Sequence, residues 1–338
     1  MPQRDLIELR PEGLYCAAGG FHIDPWQPVP LALITHAHGD HARWGSQRYL
    51  GTTEARPLLR ARLGADAHID WMDYGAELVL GETTVSFHPA GHILGSAQVR
   101  VRHSSGETWV VTGDYKRDPD PTCTPFEVVP CDVLITEATF ALPVYRWRPA
   151  SEVAGEVLAW WDECIARERP SVLFCYALGK AQRLLAELAR LTDRTVYLHG
   201  AMLELVQCYR DAGVAMLPTE AVSEQAKGRA FAGQLILAPP SAAGAPWMRR
   251  FRDASTGFAS GWMRIRGNRR RRGYDRGFVL SDHADWPGLQ RAIAATGASR
   301  VIVTHGYEAV MVRWLQQQGL EAGSFSTEYG TEDNETAA

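Results

Sequence analysis

The stretch HAHGDH at residues 36–41 places three histidines and one aspartate within six positions, although the whole chain of 338 residues has only 11 histidines. Imidazole nitrogens and carboxylate oxygens are the ligands that zinc and related divalent cations take in proteins. In an extended segment, His36 and His38 point to the same side and can bind one ion together. Asp40 and His41 follow and point toward a neighbouring position. Because four-coordinate zinc needs more than two histidines, further ligands are expected from other parts of the chain.

Three more candidate ligands stand shortly after β-rich runs: His92 follows TVSF, Asp114 follows TWVV, and His305 follows VIV. A carboxylate can bridge two cations, so Asp114 is the expected shared ligand. The sequence therefore predicts two metal sites, one formed by His36, His38, His92 and Asp114 and the other by Asp40, His41, Asp114 and His305. The remaining histidines are interpreted as structural: His22, His68, His88, His103 and His199.

Asp24, in the segment FHIDPW, lies just upstream of the histidine stretch. Metal-bound imidazoles usually donate their second ring N–H to a carboxylate or a carbonyl, which fixes the ring. We predict that Asp24 orients the histidine loop in this way. The structural alternative is a turn cap before Pro25.

The elements that must position these residues are short apolar runs that end in polar clusters, which is typical of strands covered on both faces. After residue 150 such runs alternate with segments of helical periodicity, which indicates an α/β unit. Before residue 130 they follow one another closely, as in hairpins and meanders. The predicted strands are 31–35, 84–87, 108–112, 132–136, 171–175, 195–198, 234–238, 277–281 and 300–304, and the predicted helices 152–168, 180–191, 288–297 and 308–319.

Length and composition restrict the number of domains and the class of protein. At 338 residues and 46% hydrophobic content, the chain is too long for one ordinary core, so two domains or one domain with a large insertion are expected. No apolar run is long enough to cross a bilayer, and the N-terminus has no apolar stretch of the kind that marks a secretory signal. The six cysteines form no CxxC pair and are expected to be reduced thiols in the cytoplasm.

The net charge of −4 does not by itself indicate a nucleic-acid partner, but RIRGNRRRRGYDRG at 264–277 carries seven arginines and one acidic residue. Arginine cannot lose its charge and binds phosphate in a bidentate manner, so this run is a candidate polyanion contact as well as a candidate solvated loop. Trp26, Trp44 and Trp286 lie near the predicted site loops. Core packing is the more common role of such residues, and stacking on bases is the alternative.

The motif HAHGDH matches the HxHxDH motif of the metallo-β-lactamase superfamily, and His92, Asp114 and His305 match its later metal positions. The chain resembles this superfamily over nearly its whole length, and more narrowly its β-CASP nucleases. Glu137 in LITEATF and His283 in LSDHADW match the two additional motifs of that group, and LGKAQRLL at 178–185 matches a turn of its inserted domain. By its length and the segment SGWM…RRRRGYDRGFVLSDHADW, the chain is most similar to the ligase-associated DNA exonucleases of bacteria.

This resemblance implies an α/β fold, a metallo-β-lactamase αββα sandwich formed by residues 1–142 and 276–338 with a β-CASP α/β cap domain inserted at 143–275. It also implies a metal-dependent DNA exonuclease of DNA repair, which hydrolyses phosphodiesters with two divalent cations, Zn²⁺ or Mn²⁺. The expected substrate is single-stranded or end-bearing DNA. A functional link to a DNA ligase and a helicase is expected, and no membrane contact.

The expected mechanism uses two cations about 3.5–4 Å apart, which lower the pKa of a water molecule so that hydroxide attacks the phosphorus. His283 is the expected general acid for the leaving 3′ oxygen, and Glu137 fixes its tautomer. Asp40 is counted among the catalytic residues because it holds one ion. The expected nucleic-acid contacts are Lys180, at a helix start that suits a phosphate, and Arg269, Arg270, Arg271 and Arg272.

Three other functions fit parts of this pattern. An RNA-processing nuclease of the β-CASP group is the main alternative, because the RNA-cutting members carry histidine at the position of His305. A small-molecule hydrolase would need neither Glu137 with His283 nor a long insertion. A non-catalytic subunit would be expected to lack metal ligands, which are all present here.

Overall fold

The computed structural model of the protein describes residues 5–226, 228, 230–265 and 273–329. The chain divides into two compact units, one formed by the residues up to Pro143 together with those from His283 onward, and the other by Val144–Asp282. The sequence analysis placed the second boundary at 275/276. Residues 276–282 belong instead to the inserted unit, because residues 276–278 form a strand that pairs with residues 257–259 of that unit.

In chain order the strands are β1 (Glu8–Arg10), β2 (Gly13–Cys16), β3 (Phe21–Ile23), β4 (Leu31–Leu33), β5 (Arg48–Thr52), β6 (Ile69–Met72), β7 (Leu78–Leu80), β8 (Thr83–Pro89), β9 (Ala97–His103), β10 (Thr108–Val111), β11 (Val133–Ala138), β12 (Ser171–Phe174), β13 (Val196–Leu198), β14 (Thr219–Ala221), β15 (Leu235–Ala238), β16 (Ser255–Ala259), β17 (Arg276–Phe278), β18 (Arg300–Gly306) and β19 (Glu321–Ser324). The α-helices are α1 (Arg56–Leu63), α2 (Ala150–Ala166), α3 (Lys180–Leu188), α4 (Gly200–Asp211), α5 (Trp286–Thr296) and α6 (Glu308–Gln317). Every strand and helix predicted from the sequence coincides with one of these elements.

The first unit contains two sheets. One has the order β1-β2-β3-β4-β5-β6, with β3 to β6 mutually parallel. The other has the order β19-β18-β11-β10-β9-β8-β7, in which β19, β18, β11 and β10 are parallel neighbours and the remaining pairs are antiparallel.

The second sheet of this unit is buried on both faces, as its continuous apolar runs predict. Along β10, Trp109 and Val111 point into the core between the two sheets, whereas Val110 points into a core that it shares with α5 and α6. On the far side of the first sheet, Leu59 of α1 packs so closely on β5 that a Cβ at Gly51 would lie 2.6 Å from its methyl group. Helices therefore cover both outer faces, and the αββα sandwich is confirmed.

Local signals in the sequence explain where α5 begins and ends. The carboxylate of Asp285 caps the helix by accepting a hydrogen bond of 2.8 Å from the Gly288 amide, and Gly297 ends it in the left-handed region at φ 71°. This N-cap fixes the segment directly after His283, a candidate site residue.

The second unit is built on one parallel sheet with the order β14-β13-β15-β12-β16-β17. Its strands alternate with α2, α3 and α4, and the apolar faces of these helices bury a core around Trp161, Leu173 and Leu237. The α/β class predicted for this part of the chain is confirmed. Among the helices of the described residues, none is both long enough and apolar enough to cross a bilayer.

Candidate metal centre

The strand ends of the first unit bring the predicted ligands together. The HAHGDH loop begins three residues after β4 ends at Leu33, and His92 lies in the loop that connects β8 to β9. Asp114 follows β10, and His305 is the next-to-last residue of β18. Because β10, β11 and β18 run parallel, their carboxyl ends lie at the same edge of the sheet. The site is thus held by strands, which position ligands more rigidly than free loops do.

The first group of donors is His36, His38, His92 and Asp114, all buried, with ligand atoms within 4.8 Å of one another. The Nδ1 of His38 lies 3.1 Å from the Nε2 of His92. Two nitrogens that bind one tetrahedral zinc ion at about 2.0–2.1 Å are roughly 3.3 Å apart, so this pair has the spacing of two ligands to one ion. An oxygen of Asp114 lies 3.5 Å from the Nε2 of His36.

The second group of donors is His41, Asp114 and His305. The Nε2 of His305 lies 3.1 Å from one oxygen of Asp114, and the Nε2 of His41 lies 3.6 Å from the other. Asp114 therefore takes part in both groups, as a shared ligand must. Asp40 stands beside the second group, with its Oδ2 3.7 Å from the Nε2 of His41.

Hydrogen bonds fix the tautomers of two ligands. The hydroxyl of Thr35 donates to Asp24, so it can only accept from the Nδ1–H of His36, at 3.0 Å. In the same way the hydroxyl of Thr304 donates to the carbonyl of Thr136 and accepts from the Nδ1–H of His305, at 3.0 Å. In each of these histidines Nε2 is then the ring nitrogen that faces the site and is available to bind a cation.

Asp24 lies where the sequence analysis expected it to act. Its carboxylate accepts hydrogen bonds from the backbone amide of Thr35, at 2.7 Å, and from the Nδ1 of His41, at 2.8 Å. Its backbone adopts φ 44°, an uncommon conformation for a residue other than glycine, although aspartate adopts it more readily than most. The carboxylate thereby connects the end of β4 to a histidine of the second donor group.

The ionisation states of the side chains in this cluster favour the binding of cations. Burial would raise the pKa of Asp114, but His41, His283 and His305 hold it well below its usual value, so the carboxylate stays ionised. Burial would lower the pKa of His41, but Asp40, Asp114 and Asp24 raise it to about 10 in the metal-free protein. Burial, with the charge of His41, lowers the pKa of His36 well below its usual value, so this ring is neutral.

The donors fit two divalent cations that share Asp114. The Nε2 atoms of His36 and His41 are buried and have no hydrogen-bond partner among the described residues, and such atoms are costly unless a ligand engages them. Imidazole and carboxylate donors suit zinc and manganese.

A second pair of residues lies directly beside these ligands. The two carboxylate oxygens of Glu137 lie 3.0 and 3.2 Å from the Nδ1 of His283, and both side chains are buried. One of the same oxygens accepts the backbone amide of Tyr115, at 2.8 Å, which holds the carboxylate in place. The ring centroid of His283 lies 4.7 Å from that of His92. This geometry orients an imidazole next to the place where the cations would bind.

Comparison with known proteins finds relatives that align with much of this chain. The chain is 32% identical over 315 residues, 92% of its length, to a probable DNA ligase of Opitutus terrae. It is 28% identical over 226 residues to a ribonuclease of Thermus thermophilus and 32% identical over 187 residues to an endoribonuclease of Aspergillus fumigatus. The chain belongs to the β-CASP group of the metallo-β-lactamase superfamily.

This β-CASP protein spans only part of those relatives, 30% of the Opitutus protein, 49% of the Thermus protein and 21% of the Aspergillus protein. No protein-family model matches the chain. A protein of unknown function from Enterococcus faecalis has a solved structure that matches 89% of this chain and 80% of its own, with a TM-score of 0.57 and 14% identity. That likeness supports the fold alone.

The sequence analysis did not single out Tyr329, which packs on two of the candidate ligands. Its ring stacks on the imidazole of His41, with centroids 4.5 Å apart and an interplanar angle of 12°. It also meets the ring of His305 edge-on, at 5.6 Å. Tyr329 lies in a polar segment beyond the last strand, and neither its spacing nor its neighbours mark it as part of a site.

Two further expectations are corrected by the structure. Lys180 is buried, and its ammonium forms an ion pair of 2.6 Å with Asp282 inside the second unit, in place of the phosphate contact expected at the helix start. Trp26 and Trp286 are buried, as expected for core residues, but Trp44 is 81% exposed. Residues Arg269 to Arg272 lie outside the described residues.

The histidines that were interpreted as structural have structural contacts. His199 caps α4 by accepting the amide of Ala201, His88 contacts Glu127 at 3.1 Å, and His22 packs on the ring of Tyr15. None of them belongs to a donor group within the part of the chain that the structure describes.

Proposed function

We propose that the chain is a metal-dependent nuclease that hydrolyses phosphodiester bonds, with DNA as its substrate and with cleavage starting from an end. The observation that carries the proposal is the Glu137–His283 pair beside a donor set that fits two cations sharing Asp114. A metal-dependent hydrolase of small molecules needs the cations but has no use for a second, protonated group aimed at a leaving alkoxide.

Different residues of the site would bind the cations and orient the ligands. His36, His38, His92 and Asp114 would hold one cation, and Asp40, His41, Asp114 and His305 the other. Two divalent cations supply an activated water nucleophile and neutralise charge on the phosphate. Asp24 and the hydroxyls of Thr35 and Thr304 keep the ligand rings in the required tautomer and orientation.

His283 would donate the proton that the leaving 3′ oxygen needs. With its Nδ1–H held by Glu137, a proton on Nε2 makes the ring an imidazolium, and the neighbouring carboxylate stabilises that state. General acid catalysis of this kind contributes about 10²–10⁴-fold to a rate.

DNA is favoured as the substrate because the alignment with the probable DNA ligase of Opitutus terrae covers 92% of this chain. A DNA end trimmed by a nuclease can be passed to a ligase, so a functional link to a DNA ligase and a helicase in repair is part of the proposal. The six cysteines are all free thiols, which suits a role in the cytoplasm.

RNA is the second candidate substrate, and specific observations favour it. The relatives from Thermus thermophilus and Aspergillus fumigatus are named ribonuclease and endoribonuclease. The last metal position is the histidine His305, which the RNA-cutting members of the group share.

Trp44 is proposed as a stacking platform for a base of the substrate. It follows the metal ligand His41 by three residues and is 81% exposed. Its loop is tethered, because the Ser46 amide donates to the hydroxyl of Tyr49 and that hydroxyl donates to the Arg43 carbonyl. An exposed indole offers a face on which any base can stack. The arginine run at 269–272 is proposed, from the sequence, to bind the backbone.

The deciding experiment incubates the purified protein with single-stranded DNA and RNA of one sequence, labelled at the 5′ or the 3′ end, in Mn²⁺ or Zn²⁺. Cleavage of linear DNA to short products, with a circular DNA of the same sequence left intact, is the expected result. Cleavage of RNA alone would favour the second candidate, and cutting of the circle would mean an endonuclease. If neither polymer is cut by the wild type while His283→Ala behaves identically, the proposed function is wrong.

A further inference from the structure

The C-terminal strap, defined here as residues 325–329, is bound to the metal centre at both ends. The Phe325 amide donates to the carbonyl of Val303, at 2.9 Å, and the hydroxyl of Thr327 donates to the carbonyl of Thr304, at 2.7 Å. These two carbonyls belong to the part of β18 that leads directly into His305. The strap therefore runs along the strand that carries a metal ligand.

The other end of the strap meets the histidine loop. The guanidinium of Arg43, two residues after His41, donates to the carbonyl of Glu328, at 3.2 Å, and lies 3.8 Å from its carboxylate. The strap thus connects the segments that supply His41 and His305, which are distant in sequence.

Tyr329 completes this connection. Its ring is parallel to that of His41, with centroids 4.5 Å apart, and meets His305 edge-on, while the ring of Trp26 meets Tyr329 edge-on at 5.6 Å. Asp24 already fixes one edge of His41 through Nδ1. A hydrogen bond at one atom still permits the ring to tilt, and an aromatic face packed on the imidazole removes that freedom.

We propose that Tyr329 is a positioning residue for one of the two cations, the one held by His41, Asp114 and His305, and that the C-terminal strap is part of the metal centre. The aromatic ring performs this role, because among the described residues the hydroxyl makes a single long hydrogen bond, donated to the carbonyl of Ile23 at 3.5 Å. The inference rests on the proposed two-metal centre and does not depend on whether the substrate is DNA or RNA.

The proposal predicts a selective effect. The two rings that Tyr329 contacts, those of His41 and His305, both belong to the second donor group. Loss of partners that orient metal ligands typically weakens metal binding by about 10–100-fold. Removal of the ring should therefore lower the affinity for the cation at His41 and His305 by this factor and leave the affinity for the other cation unchanged.

The test measures metal binding rather than activity. Metal-free wild type, Tyr329→Phe, Tyr329→Leu and the control Tyr15→Leu, which removes a ring from a histidine outside both donor groups, are titrated with Zn²⁺ against a chelator of known affinity. Bound zinc is counted by mass spectrometry. Wild type, Tyr329→Phe and Tyr15→Leu should each bind two ions with matching affinities. Tyr329→Leu should keep the first and bind the second about 10–100-fold more weakly. Tyr329→Met, whose unbranched and flexible side chain can fill the space in a different way without a ring, should repeat this result and serves if the leucine variant does not fold.

Two outcomes would overturn the inference while the proposed metal centre stands. The leucine and methionine variants could bind both ions as tightly as the wild type, or they could lose both ions together in step with a lower unfolding temperature. In either case the strap would be a packing element only. A wild type that binds at most one ion would instead refute the two-metal centre, and this proposal with it.

Discussion

Glu137 holds His283 with both carboxylate oxygens, at 3.0 and 3.2 Å from Nδ1, and its own position is fixed by the amide of Tyr115. The pair lies next to the metal ligands, and no donor of either metal site is needed to form it. Its contribution can therefore be separated from that of the cations.

His283→Ala should retain two metal ions and lose about 10²–10⁴-fold in the rate of cleavage, because the leaving oxygen no longer receives a proton. Single-turnover cleavage and metal content should be measured on the same preparation. Glu137→Gln, which preserves the shape and one acceptor oxygen, should give a smaller loss. A fall in the metal content of His283→Ala would mean that this histidine is a ligand and not an acid.

Asp24→Asn should weaken both the fold and the metal centre. The two oxygens of Asp24 accept the Thr35 amide, the Thr35 hydroxyl and the Nδ1–H of His41, whereas an asparagine directs an NH₂ group at one of these donors. A buried donor left unsatisfied costs about 1–3 kcal/mol in the free energy of unfolding, measured in urea on metal-free protein. Metal affinity should fall about 10–100-fold.

The matched control for that variant is Asp70→Asn. Asp70 is paired with Arg48 at the surface, and a pair this exposed contributes about 0–1 kcal/mol. If the two variants lose equal stability, the buried network around Asp24 has no special role.

Metal binding should release protons near neutral pH. In the metal-free protein, the surrounding carboxylates raise the pKa of His41 to about 10, so this ring carries a proton at pH 7.5 that a cation must displace. Asp114 is already ionised and gives up none, since its pKa lies well below the usual value. The affinity for the ion at His41 should therefore rise about tenfold per pH unit between pH 7 and 9. Calorimetric titrations in two buffers of different ionisation enthalpy measure the release, and binding heats that do not depend on the buffer would contradict it.

The metal ligands could be predicted from the sequence because they form a dense motif and follow strands, and the strands are recognisable as apolar runs. β10 and β11 are buried on both faces, so their composition alone identifies them. β1, with the sequence ELR and partly exposed throughout, carries no such signal and was missed. The buried strands β3 and β16 were missed as well, because one has only three residues and the other contains a glycine, so neither forms a continuous apolar run.

Two contacts between residues far apart in sequence could not be predicted, because no motif links the partners. The glycine before Lys180 suggests a phosphate site, but the partner of the lysine is Asp282, 102 residues later. The stacking of Tyr329 on His41 depends on how the chain returns after β19, which no periodicity encodes. For both residues the neighbouring sequence is compatible with several contact partners, and the partner is determined by the folded structure.

Trp44→Ala should weaken the binding of single-stranded oligonucleotides by about 1–3 kcal/mol, the usual value of one base stacked on an aromatic side chain. The salt dependence of binding should stay as it is in the wild type, because no charge is removed. Fluorescence anisotropy without catalytic metal measures both quantities, and Trp44→Phe should retain part of the affinity. Full affinity in the alanine variant would mean that the exposed indole has no role in binding.

A variant with alanine at four arginine positions should instead change the salt dependence of binding, because positive charges are removed. These positions are Arg269, Arg270, Arg271 and Arg272. Each phosphate contact on a single strand contributes about 0.7 to the slope of log affinity against log salt, so loss of these contacts should flatten the slope and weaken binding to all sequences alike. Anisotropy at several salt concentrations gives the slope directly, with Trp44→Ala as the uncharged comparison. An unchanged slope would mean that this arginine-rich stretch is a solvated loop, and the backbone contacts would then have to come from other basic residues of the chain.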